Sequence, residues 1–409
     1  MAENYNSLDN FFLCPMESIR IKNIGPIIDT GLIPLTHIMV VIGEQSSGKS
    51  TFMKVLCYCR WLEKKVMIGD YNNLESFKND DFLVPLKTFH KLNDSYFCDS
   101  SSIEYRGEAI TIYYHGSKKI RIEHTDQFDK VRHNTKLSYQ PAERNLLSVV
   151  SGLDAKYRSS TFDVMFNSVI EFNEANAIFN EKKPLKLSIV EGMEYFHEGY
   201  SDYVRFNRHH DPMLLEYMSS GVQATVPISI MSSYLTEITG TPSKRTPQSV
   251  SGDFSSDFGF DFAIDRLGYY NYPQLFVEEP EQHLFPQAQA NLIEEILVNL
   301  QKAYQKTNQK GYVFITTHSP YVLVVINLFL MAGKLKGFEH LRNEVDRITS
   351  VSILPEELSI YSTEKGRFIS LKDAETGMIG ANYLDSISVV LSAKFDALYD
   401  LYAKELNNK

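Results

Sequence analysis

The sequence predicts an α/β fold built on a mixed central sheet, and three observations support that class. The apolar run 38–42 is β-rich, unbroken and too short for a helix, and it leads directly into a glycine-rich loop. Two further apolar runs, 275–277 and 312–317, have the same character. The segments 18–35 and 102–122 alternate between apolar and polar residues, which indicates antiparallel strands beside this core.

The glycine-rich loop, residues 43–51, matches the pattern G-x-x-x-x-G-K-[ST] in full. Its glycines let the backbone pass close to a polyphosphate, so that amide hydrogens and the following helix N-terminus point at the anion. Lys49 would reach the terminal phosphates, and Ser50 would place a hydroxyl on Mg²⁺. The alternative is an ordinary glycine-serine turn. We expect ATP and Mg²⁺ as cofactors, with ATP bound by Gly43, Glu44, Ser46, Ser47, Gly48, Lys49, Ser50 and Thr51.

Composition excludes several classes of protein. The chain has 409 residues with 43% hydrophobic content, which is sufficient for a large core. Its net charge of -10 argues against a surface that coats DNA without specificity. No apolar run reaches the ~18 residues of a membrane span; the longest, 321–332, predicts a buried helix. Because the polar start, 1–7, lacks the basic region of a secretory signal, we expect a cytoplasmic protein without membrane contact.

We expect one head domain over residues 1–409, without internal repeats. The alternating pattern of apolar and polar residues changes to helical spacing at residue 145. Residues 239–259 have the composition of a loop. The densest basic cluster, 205–210, is either a solvated face or a nucleic-acid contact. The expected parts are an N-terminal lobe with a β-meander (18–144), a helical arm (145–183), a second lobe (184–355), a mobile loop (239–259) and a C-terminal extension (356–409).

Carboxylates and a histidine follow the other two predicted buried strands. Glu278 and Glu279 end one strand, and His318 follows the other. Ligands collect at strand ends in an α/β sheet, where one carboxylate could bind Mg²⁺ and a second could deprotonate an attacking water. Acidic pairs at strand ends are also common on protein surfaces, and a lone histidine there is often structural.

Four motifs occur in a fixed order: the phosphate loop, 218–223, 278–286 and 317–320. This order, over residues 18 to about 330, resembles the ABC-type ATPases, and within them the heads of the SMC, RecF and OLD kind. The stretch 278–286 is similar to that of stand-alone ATPases of bacterial antiphage defence systems, of the Septu-, PARIS- or retron-associated type. The resemblance implies an ATP-hydrolysing, ABC-type P-loop head with a mixed central sheet, an antiparallel β subdomain and a short helical insertion.

The resemblance also implies a role for each matched position. The glycine-rich loop would be the Walker A loop, with Lys49 as a catalytic residue. Glu278 would take the Walker B position and Glu279 would be the catalytic base, while His318 would be the switch histidine that contacts the γ-phosphate. Gln140 would be the Q-loop glutamine that senses Mg²⁺, and the ion would be bound by Ser50, Glu278 and Gln140. The signature residues Ser219, Gly221 and Gln223 would act on nucleotide held by a partner subunit.

Departures from the family pattern change these expectations. The predicted mobile loop (239–259) separates the signature helix from the strand that ends at Glu278 and Glu279 more widely than in a minimal head, which suggests a partner-facing insertion. The signature segment reads Met-Ser-Ser-Gly-Val-Gln where transporters tend to have Leu-Ser-Gly-Gly-Gln, which disfavours a transport subunit. Glu278 stands where the family usually has Asp, and its longer side chain predicts slow turnover. The segment after His318 is short and lacks the Asp-x-Asp of the nuclease domain in OLD proteins, so we expect no nuclease site in this chain.

The signature segment implies a homodimer. Ser219 and the helix after it offer donors to a phosphate, yet the same chain already carries its own phosphate loop. Two-fold symmetry would give a dimer with two ATP molecules sandwiched between copies, or a higher oligomer. The leading hypothesis is a head that controls a separate effector, a nuclease or toxin, in antiphage defence. The alternatives are a repair or chromosome-maintenance head that acts directly on DNA, and a scaffold that binds ATP without hydrolysing it.

Overall fold

The computed structural model describes residues 17–68, 82–116, 119–128, 131, 133–147, 163–206, 211–242 and 269–380. The strands are β1 Ser18–Ile24, β2 Ile27–Asp29, β3 Ile33–Pro34, β4 Ile38–Gly43, β5 Phe97–Arg106, β6 Ile110–His115, β7 Lys119–His124, β8 Thr135–Gln140, β9 Leu185–Lys186, β10 Met193–Glu198, β11 Ser201–Phe206, β12 Met213–Leu214, β13 Tyr272–Glu278, β14 Tyr312–Thr317, β15 Leu358–Glu364 and β16 Arg367–Ser370. The α-helices are α1 Lys49–Met67, α2 Leu83–His90, α3 Val164–Asn176, α4 Ser220–Ile238, α5 Pro286–Thr307, α6 Pro320–Lys336 and α7 Arg342–Ile348.

Twelve of the described strands form one mixed sheet with a parallel centre. Its order is β7-β6-β5-β1-β2-β16-β15-β4-β14-β13-β8, and β3 pairs with β1. The strands β15, β4, β14, β13 and β8 run parallel to one another. Because the carboxyl ends of parallel strands meet at one edge, Gly43, Gln140, Glu278 and Thr317 share that edge.

The central strands are buried on both faces, which explains their continuous apolar sequences. Successive side chains of β4 alternate between two hydrophobic cores. Val40 and Ile42 pack in one core with α4, α5 and α6, whereas Met39 and Val41 pack in the other with α1 and α2. The phosphate loop is therefore held between a fully buried strand and a buried helix.

Antiparallel strands flank this core. The predicted meander is present as β5, β6 and β7, and β5 joins it to β1. A separate antiparallel sheet has the order β12-β11-β10-β9. Helix α3 is the described helix within the predicted helical arm. The predicted fold class, with a mixed sheet, an antiparallel β subdomain and a short helical insertion, is confirmed.

Two features of the C-terminal half go beyond the sequence pattern. The hairpin β15–β16 is present, and β15 pairs in parallel with β4, so the chain after residue 356 contributes to the centre of the sheet. Helix α6 buries one side only and exposes a second apolar side. No helix of the described residues is long and apolar enough to cross a membrane. Residues 207–210 of the basic cluster and 243–259 of the predicted mobile loop lie outside the described residues.

Candidate functional site

The glycine-rich loop joins β4 to α1 at the carboxyl edge of the parallel strands. Gly48 precedes the helix with a φ of 102°, a conformation that favours glycine. An added Cβ at Gly48 would lie 2.8 Å from Cγ1 of Ile27, and one at Gly43 would lie 1.9 Å from Oγ1 of Thr363. Both positions therefore require glycine, because a side chain there would collide with Ile27 or Thr363.

The Lys49 ammonium turns back onto its own loop. Its Nζ donates to the carbonyl oxygen of Gly43 at 2.9 Å and to that of Glu44 at 2.6 Å. Burial lowers the pKa of Lys49 to about 8, although the carboxylates of Glu279 and Glu281 act in the opposite direction. An anionic ligand beside this buried cation, such as a phosphate, would raise its pKa again and stabilise the charged form.

The loop is also tied to β15. Ser47 Oγ donates to the carbonyl oxygen of Glu44 at 2.7 Å and lies 2.5 Å from Oγ1 of Thr363. Nothing in the sequence pattern singles out Thr363, which belongs to the C-terminal hairpin. The remaining predicted loop positions are the exposed Glu44 and Ser46, the half-buried Ser50 and the buried Thr51.

Glu278 ends β13, and both of its carboxylate oxygens accept hydrogen bonds. The Tyr139 hydroxyl donates to Oε1 at 2.8 Å, and the Ala142 amide donates to Oε2 at 3.2 Å. Gln140 ends the neighbouring strand β8, and its Nε2 donates to Oγ of Ser138 at 3.1 Å. The buried Oε1 of Gln140 has no hydrogen-bond partner in the part of the chain that the structure describes.

Two oxygen-bearing side chains at this edge fit the predicted Mg²⁺ site. The Ser50 hydroxyl and the Glu278 carboxylate are ligands of the kind that Mg²⁺ prefers. Gln140 does not join them: neighbouring residues of a strand face opposite sides of the sheet, so its side chain, which bonds to Ser138, faces away from the side on which Tyr139 contacts Glu278. Glu278 would bind the ion by exchanging one of its hydrogen bonds, or would orient an ion-bound water. The described residues contain no group of three or more His, Cys, Asp or Glu suited to a metal.

Glu279 and His318 form a pair immediately beyond the strand ends. His318 Nε2 lies 3.1 Å from Glu279 Oε1, and Gln282 Nε2 donates to Oε2 at 2.8 Å. The hydrogen bond from His318 is the largest influence that lowers the pKa of Glu279 to about 2. Because the ionised carboxylate can only accept, His318 donates from Nε2. Glu279 also has a φ of 45°, a conformation that residues other than glycine rarely adopt.

The structure adds two residues that the sequence pattern does not single out. Glu281 Oε1 accepts from the backbone amide of His318 at 2.5 Å. Arg144 is fully buried and donates to the carbonyl oxygens of Glu278 and Glu279 at 2.5 and 2.6 Å. Both lie in polar stretches visible in the sequence, but a single sequence does not show which charges are buried.

The three signature positions lie at the start of α4. Ser219 precedes the helix and is exposed. Gly221 is packed so closely that an added Cβ would lie 2.7 Å from the carbonyl oxygen of His283. Gln223 Nε2 donates to two carbonyl oxygens of the turn just before the helix. Within the described ranges, none of the three bonds to residues 43–51, so one copy of the chain does not bring the signature positions into contact with its own phosphate loop.

The fold and this site define an α/β protein with a glycine-rich loop of the phosphate-binding pattern at the carboxyl edge of a mixed sheet. No family model and no curated protein matches the chain. Among solved structures it is similar to an Smc head bound to the C-winged helix domain of ScpA, with 11% identity, 88% of this chain and 98% of that chain covered, and a TM-score of 0.36. An SMC head domain from Thermotoga maritima has 10% identity, 87% and 98% coverage and a TM-score of 0.37. An Smc head domain with an extended coiled coil, bound to the C-terminal domain of ScpA derived from Pyrococcus furiosus, has 10% identity, 93% and 100% coverage and a TM-score of 0.36.

At these TM-scores the likenesses carry no argument about function. The class rests on the strand order, on the loop between β4 and α1, and on the residues at the carboxyl edge of the sheet.

Proposed function

We propose that this protein is an ATPase head that binds Mg²⁺ and ATP at residues 43–51 and hydrolyses ATP between two copies of the chain. The observation that supports this best is the meeting of Lys49, Glu279 and His318 at one sheet edge. ATP would supply the bond that is broken, and Mg²⁺ would offset the charge that develops on the phosphates.

Binding follows from the geometry of the loop. The backbone amides and the start of α1 would bind the phosphates, because both present unpaired donors to an anion. Lys49 would exchange the carbonyl oxygens of Gly43 and Glu44 for phosphate oxygens, which relieves the effect of burial on its charge. Ser50 and Glu278 would hold the ion and its waters.

Hydrolysis would use Glu279 as the general base. Its carboxylate would accept a proton from water as the water oxygen attacks the γ-phosphorus, and ADP and phosphate would leave. The hydrogen bond from His318 weakens this base. If His318 donates to the γ-phosphate instead, the pKa of Glu279 rises and the carboxylate becomes a better proton acceptor. The pair would therefore be least reactive until ATP is in place.

Ser219 supports a dimer. It is exposed at the N-terminus of α4, where donors point outward, and it makes no bond to the loop of its own described chain. A second copy would bring its ATP to this helix end, and two-fold symmetry would form two composite sites. The resulting assembly would be a homodimer joined through ATP, or a higher oligomer of such dimers.

We further propose that the head controls a separate effector, a nuclease or toxin. Helix α6 begins two residues after His318 and exposes an apolar face, which we call the α6 stripe. Exposed apolar stripes of this kind mark protein-binding surfaces, and a shift of His318 would be passed to a partner bound there. The role in antiphage defence follows from the family resemblance alone. The stripe consists of Tyr321, Val324, Leu328 and Met331, which are 49, 65, 49 and 46% exposed.

Phosphate release by the purified chain, measured together with its elution volume on a sizing column, tests the ATPase proposal. We expect Mg²⁺-dependent release and an ATP-dependent dimer, both of which Lys49→Ala abolishes. Bound ATP without phosphate release would support the scaffold instead. Salt-sensitive binding to duplex DNA, with a steep log-log slope, would support a head that acts directly on DNA.

A further inference from the structure

Arg144 is a fully buried arginine whose guanidinium bonds to the backbone of several segments. Its Nε donates to the carbonyl oxygen of Ala224 at 2.8 Å, and its Nη1 donates to those of Pro141 at 3.0 Å and Glu278 at 2.5 Å. Its Nη2 donates to the carbonyl oxygen of Glu279 at 2.6 Å. Every nitrogen of the group is therefore bound to main chain rather than to a carboxylate.

The acceptors belong to three parts of the proposed site. Ala224 lies in the first turns of α4, the helix that starts after Ser219. Glu278 and Glu279 carry the proposed metal-binding and catalytic carboxylates, and Pro141 directly precedes Ala142, whose amide donates to Glu278. A planar guanidinium presents its donors in a rigid fork, so this one side chain sets the distances between the three parts.

Glu279 has particular need of such support. Its φ of 45° is strained for a residue with a side chain. Its amide donates to the carbonyl oxygen of Thr316 at 2.8 Å, and its own carbonyl accepts from Arg144. The peptide groups on both sides of Glu279 are thus held by neighbours, which aims its carboxylate toward His318 and Lys49.

We propose that Arg144 is a positioning residue that couples the signature helix α4 to the catalytic carboxylate of the same chain. This inference rests on the proposed function, because Ser219 of one copy would engage ATP held by the other. That engagement would shift the start of α4, and the carbonyl of Ala224 would carry Arg144 and the Glu278–Glu279 peptide with it. ATP at one composite site would then align the base at the second site.

The test replaces Arg144 with lysine. Lysine keeps the charge, but its compact ammonium has three donors and no fork, so it cannot bind all four carbonyl oxygens. We expect the affinity for ATP to stay within about twofold, while kcat falls ~10- to 100-fold through misalignment of Glu279. The Hill coefficient for ATP, above about 1 in the native dimer, falls to about 1 because the two sites no longer communicate.

Arg60→Lys is the matched control. Arg60 is as deeply buried, bonds to Glu17 and Glu63 and packs over the ring of Tyr312 at the start of β14. The lysine there should lower the melting temperature without changing the Hill coefficient. A purely structural role for Arg144 would make the two variants alike: both would lose stability and both would keep the native Hill coefficient, and that result would overturn the inference.

A second measurement needs no change at Arg144. One native copy and one Lys49→Ala copy are joined in a single polypeptide by a flexible linker, so that their pairing does not need two ATP molecules, and two native copies joined in the same way are the reference. The mixed pair retains one competent loop, and the signature of the native copy faces a loop that holds no ATP. Coupling predicts phosphate release well below half that of the native dimer, whereas one half would overturn the inference. If the native dimer itself released no phosphate, the proposed function would be wrong rather than the coupling alone.

Discussion

His318 Nε2 lies 3.1 Å from Glu279 Oε1, so the histidine proposed to contact the γ-phosphate is bound to the carboxylate proposed as the base. The bond lowers the pKa of Glu279 to about 2, far below the range in which a carboxylate removes protons efficiently. In the proposed mechanism, sensing of the nucleotide by His318 and activation of water by Glu279 would therefore be two states of one hydrogen bond.

His318→Ala should move the acid limb of the kcat/KM profile to higher pH. Without the imidazole, the pKa of Glu279 rises toward its usual 4.5. The hydrogen-bonded Glu279 carboxylate, whose pKa is lowered in the folded chain, stabilises that chain above about pH 4.5, and this stabilisation is lost as the pH falls toward 2. We also expect a loss of ~10²-fold in kcat, the scale for removing one donor to a developing charge. Phosphate release between about pH 4 and 8 measures both effects. His340→Ala, at an exposed histidine, is the control.

An acid limb that does not shift in the His318 variant would contradict the hydrogen bond between His318 and Glu279.

Glu279→Gln should preserve ATP binding and trap an ATP-dependent dimer. The amide keeps the shape of the side chain but cannot accept the proton, so turnover should fall by ~10²-fold or more. Phosphate release and sizing chromatography of the same sample measure the two outcomes. Glu344→Gln, at an exposed position of α7, should behave as the native protein. Undiminished phosphate release from the Glu279 variant would remove that residue from the chemistry.

Local sequence was sufficient to predict the strands that carry the site, but not the contacts between them. β4, β13 and β14 are buried on both faces, and only continuous apolar sequence satisfies that environment. Thr363 contacts Ser47 across 316 positions, and it does so because β15 pairs in parallel with β4. Parallel pairing of distant segments leaves no trace in local alternation, so this side of the loop could not be predicted.

The burial of polar groups is the second feature that the local sequence could not predict. Tyr139 looks like an ordinary strand residue, yet its hydroxyl donates to Glu278, and only the packing of β8 beside β13 brings them together. The run 321–332 predicts a buried helix because it is apolar on every side. Such a run has no polar face to reveal its orientation, so the exposed α6 stripe could not be inferred from its period.

The affinity for ATP should weaken above about pH 8. In the free protein, burial lowers the pKa of Lys49 to about 8, so the ammonium loses its proton as the pH rises through that value. The bound phosphate prefers the protonated form, and the Kd should therefore rise by up to ~10-fold per pH unit above 8. Titration with a fluorescent ATP analogue from about pH 7 to 9.5 measures this, because phosphate groups are already ionised over most of that range. Lys49→Arg should remove the rise of the Kd at alkaline pH, since arginine stays protonated. A Kd of the native protein that is constant across the range would exclude Lys49 as a phosphate ligand.

Ser219→Arg should abolish the dimer and leave ATP binding intact. Ser219 is exposed, so the larger side chain does not disturb the fold of one copy. In the composite site it would occupy the space of the partner's phosphates. Light scattering with and without ATP measures the dimer, and Ser350→Arg, at another exposed serine, is the matched control. An ATP-dependent dimer of normal stability in the Ser219 variant would place the contact between copies elsewhere.

Val324→Asp should prevent binding of the effector. Val324 is 65% exposed in the middle of the α6 stripe, so a carboxylate there leaves the core unchanged but would have to lose its hydration against an apolar partner. The test uses the protein encoded by the gene next to that of the head, as the candidate for the separate effector. The two are co-expressed, and their complex is measured by sizing chromatography. Ile348→Asp, at a 77% exposed isoleucine of α7, is the matched control and should retain the complex. If both variants bind the product as the native head does, the α6 stripe is not the docking surface, and if the native head binds nothing, the adjacent gene does not encode the effector.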